Sequence, residues 1–140
     1  MTTLPVPVRR QAVSRSAESG VSLMRDVALA WRAADRTEFV IETLGGTRRA
    51  AAMLGVAPSQ PSRWTSGEST PGPEAARKLI ELDHVLALAY LHWADADLIA
   101  GWLTTPNAFL DGVEPATWIQ FNGTAEVVAA LQAESSGAFA

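Results

Sequence analysis

Gly46-Thr47-Arg48-Arg49-Ala50-Ala51-Ala52-Met53-Leu54-Gly55-Val56-Ala57-Pro58-Ser59-Gln60-Pro61-Ser62-Arg63-Trp64-Thr65-Ser66-Gly67 reads as two short helices joined through Gly55, the spacing of a helix-turn-helix. Gly55 follows one apolar-periodic segment and precedes another, so it can take the left-handed conformation that ends the first helix. Ala51 lies one turn earlier, where a small side chain lets two helices cross closely. Leu54, Val56 and Trp64 are the expected apolar plugs, and Ser59, Gln60, Ser62 and Arg63 are free to point outward. Pro61 breaks the pattern, because such motifs usually carry Val or Ile there. A proline inside a helix costs about 3 kcal/mol, and most of that cost vanishes in the first turn. The second helix is therefore expected to start late, with residues 57–59 at its cap, and to be short. An ordinary helical hairpin is the alternative, since glycine between amphipathic helices is common.

A 140-residue chain with 48% hydrophobic residues fits one domain, or two small helical units sharing a core. It has no cysteine, which excludes disulfide scaffolds, thiolate zinc sites and thiol nucleophiles and suits a reducing cytoplasm. Residues 4–8 are short, interrupted by prolines and followed by Arg9 and Arg10, so no secretory signal is expected. The longest strongly apolar run, 85–91, is too short to cross a bilayer and is flanked by His84 and His92. A cytoplasmic protein without membrane association is expected.

Charge divides the chain. All eleven Lys and Arg lie between Arg9 and Lys78, where seven Asp and Glu leave a net +4; residues 79–140 hold eight acids, no Lys or Arg, and a net −8. Each half creates a field of its own sign, which points to two kinds of partner; an acidic helical surface that merely aids solubility is the plainer alternative.

Outward from the motif, the spacing predicts an all-α chain. Residues 1–20 are rich in Thr, Pro, Ser and Arg without apolar period and read as a flexible N-terminal arm, in which Arg9, Arg10 and Arg15 could add phosphate contacts. Residues 21–78 read as a helix-turn-helix bundle. Its first helix, 21–34, carries Met24, Val27, Ala28 and Trp31 on one face. The second is capped by Asp35 or Thr37, carries Phe39, Val40 and Leu44, and ends at Gly45 and Gly46. After Gly67, a loop over 69–74 feeds a helix with Pro73 near its first position and Glu74 in its first turn. That helix is nearly continuously apolar through Tyr90, so it is expected to be central and to belong to both halves. Residues 79–140 read as an acidic helical module. Asp95 caps a helix through Leu103, Pro106-Asn107 forces a turn, and Gly112 and Pro115 bracket a helix through Trp118 and Ile119. Asn122-Gly123 turns again, and Thr124 begins a last helix with Val127, Val128 and Leu131, followed by a C-terminal tail.

Trp102-Leu103-Thr104-Thr105-Pro106-Asn107, with Leu110, Gly112, Pro115, Gly123, Val127 and Leu131 after it, resembles the C-terminal toxin-binding module of the Xre/MbcA/ParS antitoxins. Leu54-Gly55-Val56, Ser62-Arg63-Trp64, Gly67 and Pro71 are similar to that family's Xre-like N-terminal module, so the likeness covers roughly residues 40–133. The resemblance implies a type II antitoxin that binds a RES-domain toxin, an enzyme that destroys NAD, and blocks its active site. It also implies repression of the chain's own operon as a complex. The chain departs from the family at Pro61, at Asp111, where the family more often has Gly, and in its long arm.

Two sets of site residues follow. For DNA, Arg48 and Arg49 open the first motif helix, where side chains and amides can meet phosphates, and Ser59, Gln60, Ser62 and Arg63 are candidate base readers. Arg63 could instead be a surface ion-pair partner. One module binds weakly, so a homodimer on two half-sites is expected, or a higher hetero-oligomer with toxin. For the toxin, Trp102, Leu103, Pro106, Asn107, Phe109 and Leu110 are the expected contacts; Trp102 and Leu103 could equally pack the module's own core. An NAD-cleaving enzyme must hold a pyrophosphate, so the acidic tail from Glu134 through Phe139 to the carboxylate of Ala140 is expected to enter its electropositive pocket. No cofactor is expected, and no enzyme activity: His84 and His92 lie about 12 Å apart along one helix, His92 and Asp95 are too few ligands for a metal, and no phosphate loop or activated nucleophile is visible. Two alternatives stay open: an antitoxin that neutralises without binding DNA, and a DNA-binding regulator with no toxin partner.

Overall fold

One 21-residue helix organises the chain in the computed structural model, which describes residues 32–137. The elements in order are α1 (Ala33–Leu44), α2 (Thr47–Leu54), α3 (Gln60–Ser66), α4 (Pro73–Trp93), α5 (Ala96–Leu103), a 3-10 turn (Ala108–Leu110), α6 (Pro115–Asn122) and α7 (Ala125–Ser135). The architecture is all-α, as the sequence predicts; among the described residues the only extended pairing is an isolated antiparallel bridge between Asn107 and Val113. The expected arm over 1–20, the helix face of Met24, Val27, Ala28 and Trp31, and the tail residues Phe139 and Ala140 lie outside the described residues.

From Ala33 onward the chain forms one compact unit. The boundary expected at 78/79 falls inside the unbroken α4, and the two expected modules share a core. α4 packs against α1, α2, α5 and α7; α1 also packs on α2, α3 and α5, and α2 on α3 and α6. The interior is built from Val40 and Leu44 of α1, Ala50, Ala51 and Leu54 of α2, Trp64 of α3, Leu79, Leu82, Val85, Leu86 and Ala89 of α4, and Ile99, Leu103, Leu110, Val127 and Leu131 beyond it. Each fully buried Leu or Ile contributes about 1.5–3 kcal/mol relative to exposure.

Two expectations need correction. α1 does not start at a cap on Asp35 or Thr37: it begins at Ala33, with Asp35 in its first turn. The Thr37 hydroxyl donates to the Ala33 carbonyl at 2.6 Å, so a threonine that could cap is satisfied inside the helix and lies fully buried. Nor is α4 buried on most faces. It carries Ile80 at 45% and Leu91 at 85% exposure, because all its neighbours pack on the face of Leu79, Leu82, Val85, Leu86 and Ala89.

Candidate functional site

The region of the two motif helices follows from its turns. Gly55 ends α2 at φ +68°, and the Val56 amide donates to the Ala51 carbonyl at 3.0 Å. A Cβ added at Gly55 would stand 3.3 Å from Lys78 Nζ, so α4 approaches this turn closely. Ala51, Leu54 and Trp64 are buried, while Val56 is only half-buried. α3 begins after Ser59, runs seven residues and ends at Gly67, late and short as Pro61 requires. Pro61 itself is almost fully buried, so it occupies the core position that the motif fills with Val or Ile, and it does so from the first turn, where no N–H is missed.

Ser59, Ser62 and Arg63 are exposed, and Gln60 is partly exposed. No ion pair between described residues involves Arg63. The far end of α3 is tied down: Ser66 Oγ donates to the Arg63 carbonyl at 3.1 Å, and the Ser69 amide to the same oxygen at 3.2 Å. Arg48 is exposed. Arg49, although exposed, is turned back so that Nη1 donates to the Leu44 carbonyl at 3.3 Å, on the last turn of α1. Sequence spacing treats the two arginines alike; their surroundings separate them.

The second region is the loop from Thr104 to Glu114. α5 starts at Asp95, whose Oδ1 accepts from the Asp97 and Leu98 amides at 2.8 and 3.1 Å. The Thr104 and Thr105 hydroxyls close it on the Ala100 and Gly101 carbonyls at 2.8 and 2.7 Å. Asn107 then holds the loop together. Its Oδ1 accepts from the Phe109 amide at 2.9 Å, its carbonyl from the Leu110 and Gly112 amides at 3.0 and 2.8 Å, and its amide donates to the Val113 carbonyl at 3.2 Å. Asp111, in the place where the family resemblance leads one to expect Gly, adopts the left-handed region at φ +58°.

The expected toxin contacts sort by exposure. Leu103 and Leu110 are 2% and 0% exposed, so in this conformation they support the loop from beneath and present no side-chain surface. Asn107 is half-buried and its side chain is engaged in the loop. Pro106 is exposed, and Phe109 is 43% exposed. Trp102 is half-buried against Trp93 at a ring distance of 5.6 Å, with its Nε1 buried and unpaired, and Trp93 meets His92 edge-on at 4.5 Å. Glu134 is exposed near the end of α7.

Sequence reasoning missed three exposed apolar side chains, Leu91, Leu98 (55%) and Phe121 (79%). It also missed two cavities along α2. One, of about 530 Å³, lies among Met53, Gly55, Arg77, Lys78, Glu81 and Phe121. The other, of about 220 Å³, lies among Leu44, Arg49, Leu103 and Thr104, and Ala52, Met53 and Gln120 line both. Only helix phase could have flagged Phe121, which falls off the buried side marked by Pro115 and Ile119.

Among the described residues no group of three or more His, Asp and Glu could hold a metal ion. Asp95 caps a helix, and His92 Nδ1 lies 3.3 Å from Ser135 Oγ. No helix among them is long and apolar enough to cross a membrane.

No protein-family model and no curated protein matches the sequence. A solved structure does: the chain is similar to a chain of the M. tuberculosis MbcT–MbcA toxin–antitoxin complex, with a TM-score of 0.66 and 26% identity, over 76% of this chain and 96% of that one. The helical arrangement thus has a solved counterpart, and the fold of this chain is that of an MbcA-type antitoxin.

Proposed function

We propose that the chain is the antitoxin of a type II pair, which binds a RES-domain toxin and blocks its breakdown of NAD. The observation that carries this reading is the likeness over 96% of a chain from a toxin–antitoxin complex. The sequence string from Trp102 to Asn107 supports it from the side of the toxin-binding module. Phe109 and Pro106, on a loop that Asn107, Leu103 and Leu110 hold in place, and the exposed part of Trp102 at the end of α5 supply apolar anchors. The tail from Glu134 onward brings negative charge towards a pocket built for a pyrophosphate. Co-expression with the product of the neighbouring reading frame tests this: a stable complex and restored growth are expected, and a toxic neighbour that is neither bound nor silenced would overturn it.

We infer further that the chain represses its own operon through α3. The exposed Ser59, Ser62 and Arg63, the partly exposed Gln60, and the positive balance of the first 78 residues support this reading. A gel shift on the upstream DNA that weakens steeply with salt is expected. No retardation at any salt concentration would leave an antitoxin that only neutralises.

A further inference from the structure

Where α4 ends, side chains of three helices meet. His92, in the last turn of α4, has Nδ1 3.3 Å from Oγ of Ser135, the last residue of α7. The same hydroxyl donates to the Leu131 carbonyl at 3.0 Å. A hydroxyl has one hydrogen, so the bond to His92 runs from Nδ1–H to Ser135 Oγ. The imidazole also meets Trp93 edge-on, with ring centres 4.5 Å apart, and Trp93 lies 5.6 Å from Trp102 of α5. Two features of this corner work against stability. Ala94, which ends α4, stands at φ +54°, where an L side chain is strained. The Trp102 Nε1–H is buried without a partner among the described residues, and an unpaired buried donor costs free energy. Both costs fall where the chain turns to bring Trp102 back beside Trp93. Strain and unpaired groups kept at one corner mark a place where position matters more than stability.

Trp102 and the segment from Glu134 onward are two parts of the proposed toxin-binding surface, far apart in the sequence. We propose that His92 is the positioning residue that joins them. It ties the end of α7, from which the tail departs, to the Trp93–Trp102 pair, so that tail and apolar anchor meet the toxin as one preset surface. Less ordering is then left for the moment of binding. His92 and Ser135 are both exposed, so their contact lies outside the core and can be removed without opening it. The proposal rests on the toxin reading and adds how its two contact sets are kept in register.

Capture of the toxin from the neighbouring reading frame by full-length variants tests it. His92→Ala is expected to weaken capture about three- to tenfold, the scale of one hydrogen bond, with little change in melting temperature. Ser135→Ala should also weaken capture, and the double variant should be no worse than His92→Ala, because both remove one contact. His92→Asn, whose amide can donate from the place of Nδ1, should recover most of the loss. In a chain that carries Glu134→Gln and Phe139→Ala, adding His92→Ala should change capture little, because the tail contacts it positions are gone. The free chain gives a reading without toxin. The Ser136 and Gly137 amides, which bond to the Gln132 and Glu134 carbonyls, should exchange hydrogen several-fold faster in His92→Ala, while the interior of α4 and α5 stays protected. Variants that capture toxin as well as wild type would overturn the proposal and leave the toxin reading standing. So would unchanged exchange at the end of α7, or a His92→Ala loss that persists in full when the tail contacts are removed, which is the mark of a merely structural histidine. A wild-type chain that captures no toxin would overturn the toxin reading itself, and the proposal with it.

Discussion

Arg49 Nη1 stands 3.3 Å from the carbonyl oxygen of Leu44, so a guanidinium near the start of α2 is spent on the end of α1. This separates the three arginines expected at DNA. Arg49→Ala should lower stability by about 0.5–1 kcal/mol and leave DNA retardation near the wild-type level. Arg63→Ala should lose about 1–3 kcal/mol of discrimination between operator and unrelated sequence. Arg48→Ala should weaken all sequences alike and flatten the salt slope by about one unit. Titrated gel shifts beside thermal melts check the set; a folded Arg49→Ala protein that cannot bind DNA would contradict the assignment.

Asn107 joins the loop through one side-chain and three backbone bonds, and only the side-chain bond can be mutated away. Asn107→Ala removes the acceptor for the Phe109 amide and should cost about 0.5–2 kcal/mol. It should also weaken toxin capture, because Phe109 loses its fixed position. Asn107→Asp keeps an oxygen in place and should stay close to wild type in both assays. Equal losses in the two variants would mean that the acceptor is not what matters.

Arg36 and Asp83 pair at 2.5 Å between α1 and α4, at 30% and 18% side-chain exposure. Asp83→Ala should destabilise by about 1.5–3 kcal/mol, and a double-mutant cycle with Arg36→Ala should return a clear coupling energy. Denaturant midpoints measure this. A coupling of zero would place the pair among surface contacts that contribute nothing.

Much of this architecture was legible because its stops are chemical. Gly55 and Gly67 end α2 and α3 in the left-handed region as their positions require, and Pro73 and Asp95 start α4 and α5. Legibility failed where one residue type serves two purposes. Thr37 could cap or back-bond, and it back-bonds. Leu91 is as apolar as Leu86, yet only packing decides that Leu86 is buried and Leu91 is not. At the candidate sites the motif string located the loop, but not that Leu103 and Leu110 face inward or that Arg49 is engaged with Leu44.

Asp111 and Gly55 both hold positive φ, at +58° and +68°. Asp111→Gly should therefore be neutral to stabilising by up to about 1 kcal/mol, since an L side chain in this region carries strain. Gly55→Ala should destabilise by about 1–2 kcal/mol, with the added Cβ crowding Lys78 Nζ. Melting temperatures of the pair should move in opposite directions or, at the least, only the Gly55 variant should fall; a drop in Asp111→Gly alone would refute the strain argument.

Cellular NAD is the direct readout of toxin neutralisation. With the toxin from the neighbouring reading frame induced, NAD should collapse in cells lacking this chain and hold near the uninduced level in cells expressing it. A version cut before Glu134 should protect less. NAD that falls equally with and without the full-length chain, while both proteins are present and soluble, would contradict the account.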